Sequence, residues 1–210
     1  MTKLLLTAYG FSNDAIIDAF FYLLPTKPAE LSVAIVSTSW PEEKELHPQM
    51  QKVQQDFLAM GFPKVDFIDV EFQDSHLLEA YDVIFLGGGY PFFLLHHLKK
   101  SGADKIIKKM ADKDKIIVGL SAGSIVMGPD LELMEHLYPE DNVFKETDLT
   151  ALNLFPLRIF PHFKELQTRE ENLPERIRAF EEKIGSKIIR MDNNQAWMAH
   201  GGYHEVITGK

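Results

Sequence analysis

The sequence predicts an α/β fold: a three-layer sandwich in which a mostly parallel sheet lies between two layers of helices. Short apolar runs rich in β-branched residues alternate with longer stretches of helical period, as in βαβ units. The length of 210 residues suits one such domain and is too short for two of ordinary size. Without a repeat or linker to divide it, the chain is expected to form a single domain over residues 1–210.

In the first half of the chain, predicted strands and helices alternate. Continuous apolar runs indicate buried strands, and apolar residues spaced three or four apart indicate helices. The predicted elements are, in order, strand Leu4–Thr7, helix Asn13–Leu24, strand Val33–Ser37, helix Glu42–Met60, strands Val65–Val70 and Val83–Leu86, helices Tyr90–Leu98 and Asp104–Ala111, and strand Ile116–Leu120.

The second half is less regular, because an acidic, turn-rich segment occupies residues 128–149. Shorter runs on either side of this segment still predict helices and strands. They are helix Ala122–Met127, strand Leu157–Phe160, helix Asn172–Ile184, and the terminal strands Ser186–Met191, Ala196–Ala199 and Glu205–Thr208.

Composition argues against several classes of function. The net charge is −9, so the surface has no net attraction for nucleic acid or anionic lipid. The chain has no cysteine, which excludes a thiolate nucleophile and cysteine metal sites. No apolar run reaches the length of a membrane span or a signal peptide core, so a cytoplasmic protein is expected. No metal or cofactor is expected either, because H-E-x-x-H is absent and the adjacent His96 and His97 would point to different helix faces.

The stretch Gly119-Leu-Ser-Ala-Gly123 raises the question of a serine nucleophile. In a G-x-S-x-G turn between a strand and a helix, the central hydroxyl projects at the carboxyl edge of the sheet. Ser121 has this context, and the first amides of the helix after it could stabilise an oxyanion. Small residues are also common in ordinary strand-to-helix turns, so the motif needs support from elsewhere.

Two further motifs give that support. Gly87, Gly88 and Gly89 end a buried strand, and in a parallel sheet that end lies at the same edge as Ser121. Their spacing differs from G-x-G-x-x-G, which argues against a phosphate-binding turn. His162 follows another predicted strand and a proline that restricts the backbone, so its ring could be held at a fixed place.

Together these motifs resemble the peptidase E family, which comprises aspartyl dipeptidases and the related cyanophycinases. The matching segments are residues 87–95, 119–128 and 151–163, in that order and at similar separations. The resemblance implies a fold akin to class I glutamine amidotransferases and a serine hydrolase activity. It also implies Ser121 as nucleophile, His162 as general base, and an oxyanion hole formed by the amides of Gly89 and Ala122.

The third member of a triad is left open by the sequence. The family often places an acidic residue in the turn after a late strand, and here Asn193 aligns with it, beside Asp192. An asparagine can orient an imidazole but supplies no charge, as Cys-His-Asn proteases show. The carboxylates that follow the nucleophile are alternatives for the third member, namely Glu132, Glu135 and Asp141. The chain order of an α/β-hydrolase would instead require a later histidine as the base, either His200 or His204.

Substrate recognition is where the sequence departs from the family pattern. Gly88 belongs to the segment that would contact substrate, and Tyr90 stands where the family commonly has asparagine. Aspartyl dipeptidases bind the acidic side chain of their substrate with an arginine after the catalytic histidine, as charge-assisted pairing requires. Arg176 has the matching spacing from His162, while Arg169 and Arg178 are alternatives.

The sequence therefore favours a serine peptidase that forms an acyl-enzyme and acts on small peptides, with Asp-X dipeptides among the candidate substrates. An esterase or amidase with the same machinery is an alternative, and so is a noncatalytic relative that binds a small molecule, as Asn193 in place of an acid suggests. The expected partner is a small peptide, without nucleic acid or membrane. Aromatic residues at helical spacing fit the core or the surface of a possible homodimer; they are Phe20, Phe21, Tyr22, Phe92 and Phe93.

Overall fold

A computed structural model describes residues 2–209 and confirms the α/β class. Seven strands form the main sheet in the order β3-β2-β4-β5-β1-β8-β9. The first five in this order are parallel to one another, whereas β8 is antiparallel to both β1 and β9. The strands are β1 Lys3–Thr7, β2 Ser32–Val36, β3 Lys64–Ile68, β4 Val83–Leu86, β5 Ile116–Leu120, β8 Gln195–His200 and β9 Tyr203–Thr208.

A second, two-stranded parallel sheet consists of β6 (Ile159–Phe160) and β7 (Ile189–Arg190). Helices surround the main sheet, and none of those between residues 2 and 209 is long and apolar enough to span a bilayer. The α-helices are α1 Asp14–Leu23, α2 Pro48–Ala59, α3 Pro91–Ser101, α4 Ala103–Asp112, α5 Ala122–Val126, α6 Glu132–Leu137, α7 Phe163–Leu166 and α8 Leu173–Ile184.

The core lies on both faces of the main sheet, because successive residues of a strand point to opposite sides. In β1, Leu4 and Leu6 join the apolar cluster with α3, α4, α5, α6 and α8, whereas Leu5 joins the cluster with α1 and α2. All three side chains are buried. This arrangement gives the three layers expected from the continuous apolar runs.

Three predicted elements are wrong in their extent. The helix predicted from Glu42 begins only at Pro48, because proline suits the first helical turn and the Nδ1 atom of His47 accepts from the next free N–H. The strands predicted at Leu157–Phe160 and Ser186–Met191 shrink to the two residues each of β6 and β7, which pair with each other rather than with the main sheet. Helices α6 and α7 were not predicted, since both are shorter than two full turns.

Candidate active site

Ser121 lies directly after β5, at the carboxyl edge of the parallel strands. Its backbone has a positive φ of 49° with ψ −107°, which is rare for a residue other than glycine. Helix α5 begins at the next residue, Ala122. Such local strain persists only where the surroundings enforce it, and it is common at functional sites.

Thr7, at the end of the neighbouring strand β1, enforces the turn. Its carbonyl oxygen accepts from the N–H of Ser121 at 2.9 Å and from the hydroxyl of Ser124 at 2.8 Å. Its own hydroxyl donates to the carbonyl of Gly119 at 2.8 Å. Gly123 completes the turn by close approach, because a Cβ atom there would overlap the carbonyl oxygen of Leu86. The buried Thr7 thus ties both sides of the turn to β1.

His162 and Asn193 are brought together by the small sheet. Phe160 of β6 pairs in parallel with Arg190 of β7, so the segments that follow the two strands leave at the same edge. The N–H of Met191 donates to the carbonyl of Phe160 at 2.9 Å, which keeps these segments adjacent. His162 has φ 60° and ψ 22°, and this left-handed conformation turns the chain into α7.

The side chains of three predicted site residues form a continuous hydrogen-bonded series. His162 Nε2 lies 2.9 Å from Ser121 Oγ, and His162 Nδ1 lies 2.6 Å from Asn193 Oδ1. An amide oxygen only accepts, so Nδ1 carries the proton and Nε2 is free to accept from the serine hydroxyl. The ring of Tyr9 packs edge-on against His162, with ring centroids 6.2 Å apart. The geometry is that of a Ser-His-Asn triad.

The acidic alternatives for the third position have other partners. Asp192 accepts from the backbone N–H of Lys164 at 3.1 Å, and its other carboxylate oxygen lies 3.1 Å from Lys164 Nζ. Glu132 lies 3.4 Å from Arg158, and Glu135 accepts from the Asn142 side chain at 3.0 Å. Asp141 is exposed in the helical turn Pro139–Asp141, where partial desolvation and the neighbouring Glu140 raise its pKa above the ordinary value. The structure therefore places Asn193, and not these carboxylates, on the imidazole.

The alternative histidines also lie in other surroundings. His200 is on β8 and packs edge-on against Tyr22, with ring centroids 6.1 Å apart. His204 is on β9 and contacts the rings of Phe155 and Trp197. The geometry favours His162 over both as the partner of the serine.

The sequence alone did not indicate Glu165. Its Oε2 atom accepts from Asn193 Nδ2 at 3.0 Å, so a carboxylate stands on the far side of the amide from His162. Glu165 follows His162 by three residues in the first turn of α7, a spacing that places two side chains on one helix face. This spacing is the sequence signal for Glu165, and it becomes readable only when α7 is known to be a helix.

The predicted oxyanion residues lie on two turns at the same edge of the sheet. Gly89 has φ 126°, and a Cβ atom there would come within 2.5 Å of the Ser39 carbonyl oxygen, so only glycine fits. Within residues 2–209 the N–H of Gly89 donates to no other residue. Ala122 is the first residue of α5, so its N–H has no acceptor within the helix. Both donors are suited to an incoming negative oxygen.

A cavity of about 580 Å³ adjoins the triad. Leu120, the residue before the serine, forms part of its wall together with Tyr9, whose ring contacts His162. The cavity is mostly apolar, and its one lysine, Lys52, pairs with Asp56 of the same cavity at 2.7 Å. Gly88 borders this region, because a Cβ atom there would meet the side chains of Gln49 and Leu120. The other residues that line the cavity are Gly10, Phe11, Ser12, His47, Pro48, Gln49 and Val53.

The two remaining predicted substrate residues differ in their surroundings. Tyr90 is half exposed at the start of α3, and its ring lies edge-on to Trp40 with centroids 6.0 Å apart. Arg176 lies on α8, where its guanidinium donates to the Leu137 carbonyl, sits 3.6 Å from Glu170 and covers the ring of Tyr138. Its charge is already paired in this structure.

Comparison with known proteins agrees with the geometry. The model of peptidase family S51 matches residues 38–207. An uncharacterized peptidase, Lmo0363 of Listeria monocytogenes, is 31% identical over 131 residues, which are 62% of either chain. Peptidase E of Shewanella amazonensis is 32% identical over 91 residues, or 43% of this chain and 37% of that one. The matched stretches thus span less than two thirds of these relatives.

Similar folds occur among solved structures. A candidate peptidase E protein from Listeria monocytogenes EGD-e superimposes with a TM-score of 0.82 at 22% identity, over the full length of both chains. A peptidase from an acI-B1 Actinobacterium gives a TM-score of 0.71 at 17% identity and covers 88% of that chain. Since the family model extends over most of the sequence, the chain belongs to peptidase family S51.

Proposed function

We propose that the protein is a serine peptidase that hydrolyses small peptides through an acyl-enzyme. The observation that carries this proposal is the hydrogen-bonded series from Ser121 through His162 to Asn193. Its geometry gives the serine a base, and it gives the base a partner that fixes its ring. Membership of a peptidase family supports the same reaction class.

The proposed reaction follows from the positions of these atoms. His162 Nε2 takes the proton of the Ser121 hydroxyl while Oγ attacks the scissile carbonyl carbon. The N–H groups of Gly89 and Ala122 then stabilise the oxyanion. Protonated His162 gives its proton to the leaving amine, and water releases the acyl group by the reverse sequence. Asn193 keeps the ring oriented throughout, but its amide supplies less charge stabilisation than a carboxylate.

A small substrate fits the cavity beside the triad, which has the volume of a small-ligand site. We propose small peptides as the substrate class, with Asp-X dipeptides as the case to test first. The acidic side chain of such a substrate needs a cation. Arg176 is paired with Glu170 in this structure. It would therefore bind the substrate carboxylate only by giving up its contact with Glu170. Lys52 is likewise paired with Asp56.

A homodimer stays a prediction, but burial reduces the number of aromatic residues that could lie in its interface. Phe20 and Phe92 are buried in the core. Phe21 and Tyr22 are exposed on α1, so these two could contribute to a contact between copies.

The first experiment measures release of p-nitroaniline from an Asp-anilide beside other aminoacyl anilides and simple esters. We expect the wild-type protein to cleave at least one anilide and Ser121→Ala to lose about 10³-fold or more of kcat. Ser186→Ala, at an exposed serine just after the C-terminal end of α8, is the matched control and should keep full activity. Hydrolysis of esters alone would favour the esterase alternative. A folded wild-type protein whose Ser121 a fluorophosphonate cannot label would overturn the proposal.

A further inference from the structure

The amide of Asn193 lies between two partners of different chemistry. On one side its Oδ1 atom faces His162 Nδ1 at 2.6 Å, and on the other its Nδ2 atom faces Glu165 Oε2 at 3.0 Å. Resting on the proposed function, we infer that Glu165 is a positioning residue: it fixes the orientation of the Asn193 amide, and thereby the tautomer of His162. Ser121, His162, Asn193 and Glu165 then act as one relay.

The orientation of the Asn193 amide depends on which of its neighbours can donate a hydrogen bond. An ionised carboxylate accepts hydrogen bonds and donates none, so only the NH₂ end of the amide can face Glu165. The amide oxygen must then face His162, which requires a proton on Nδ1. Nε2 is left with its lone pair directed at the Ser121 hydroxyl, which lies 2.9 Å away. This is the tautomer that a general base needs.

Without Glu165, nothing in this series distinguishes the two ends of the amide. A flipped Asn193 would present its NH₂ group to Nδ1, which would then have to accept and could carry no proton. The proton would move to Nε2, which could no longer take the proton of the serine. A triad with aspartate avoids this difficulty, because both carboxylate oxygens accept. An asparagine at this position therefore creates the need for a second residue behind it.

The local structure suits Glu165 to this task. His162 caps α7 and Glu165 lies in the first turn of the same helix, so the base and the carboxylate share one rigid element. The two oxygens of Glu165 have separate partners, since Oε1 lies 2.8 Å from Arg169 while Oε2 faces Asn193. The negative charge also favours the imidazolium formed during the reaction, through one intervening amide.

The test uses Glu165→Leu and Glu165→Gln, with Glu171→Gln as a control at an exposed glutamate nearby. On the anilide that the wild type cleaves, we expect Glu165→Leu to lower kcat about tenfold or more with KM unchanged, the upper bound being the loss of the whole 10²–10⁴-fold that a general base contributes. Glu165→Gln can still accept from the amide, so its kcat should fall less. In both variants the acidic limb of the kcat/KM profile should move to lower pH, which a purely structural role would not cause.

A rescue experiment separates orientation from stability. Adding Asn193→Asp to Glu165→Leu supplies a partner for His162 that needs no orientation, so kcat should recover. Equal kcat and equal pH profiles in wild type, Glu165→Leu and Glu165→Gln would overturn the inference and leave the proposed function standing. Failure of the double variant to recover, with its fold intact by circular dichroism, would also overturn it. Wild-type protein that a fluorophosphonate does not label at Ser121 would overturn both.

Discussion

Glu181 offers a quantitative test of how the structure holds its active site. Its side chain is buried on α8 and accepts from the N–H of Ile188 at 2.8 Å and from two nitrogens of Arg190 at 2.8 and 3.1 Å. Chiefly because of the Arg190 hydrogen bonds, the pKa of Glu181 falls from 4.5 to about 2. A pKa lowered this far corresponds to about 3 kcal/mol of folding free energy at neutral pH.

We expect Glu181→Gln to lose about 3 kcal/mol of unfolding free energy at pH 7, in line with the loss of one partner of a buried ion pair. The folded-state pKa is depressed, so this contribution is complete above the unfolded-state pKa of about 4.5 and disappears as the pH falls towards 2. The difference between wild type and variant should therefore be constant from pH 7 to about 5 and then shrink. Urea denaturation between pH 7 and 3 measures it, followed by circular dichroism and by fluorophosphonate labelling of Ser121, with the free energies added where the two transitions separate.

Glu182→Gln is the matched control, because Glu182 is the next residue of the same helix and is exposed. It should change the unfolding free energy by less than about 0.5 kcal/mol. A difference between wild type and Glu181→Gln that is near zero at pH 7, or that does not vary between pH 5 and 3, would refute the reasoning.

Three further substitutions test the turns and the substrate site. Thr7→Val keeps the side-chain shape but removes the hydroxyl that donates to the Gly119 carbonyl, so we expect a loss of about 1–3 kcal/mol in urea denaturation and a lower kcat. Gly123→Ala should abolish native ellipticity or fluorophosphonate labelling, because its Cβ overlaps the Leu86 carbonyl; full labelling would contradict this. Arg176→Gln should raise KM for an Asp-anilide while leaving neutral anilides unchanged, and an equal effect on both would exclude it as the substrate counter-ion.

The sequence was most informative where local signals and burial coincide. Val83–Leu86 and Ile116–Leu120 were predicted with the bounds that the structure has, because each is a continuous apolar run flanked by polar or glycine residues. The same reasoning placed Ser121 at the carboxyl edge of the sheet, since a residue directly after a parallel strand must lie there. Local pattern was sufficient in these cases.

The small sheet and Glu165 could not be derived in this way. Strands β6 and β7 have two residues each, so neither carries a detectable period. The position of β7 depends on Glu181, which lies on a helix and binds Arg190 across nine residues of sequence. The sequence does not reveal that contact, so it shows Asn193 near a strand end but not the small sheet that brings Asn193 to His162. The role of Glu165 depends in turn on that meeting.

Ser121 and His162 both have positive φ angles, each at a cost of about 1–3 kcal/mol that the surroundings must offset. Thr7 holds the first turn against β1, and Glu181 holds β7, the strand that leads to Asn193. Weakening either anchor should therefore disorder the site before the main sheet unfolds, because the sheet has its own apolar core.

In Glu181→Gln, fluorophosphonate labelling should be lost at a lower urea concentration than the native ellipticity. In Glu182→Gln, labelling and ellipticity should be lost at the same urea concentration. Coincident transitions in both variants would mean that the small sheet and the main sheet unfold as one unit.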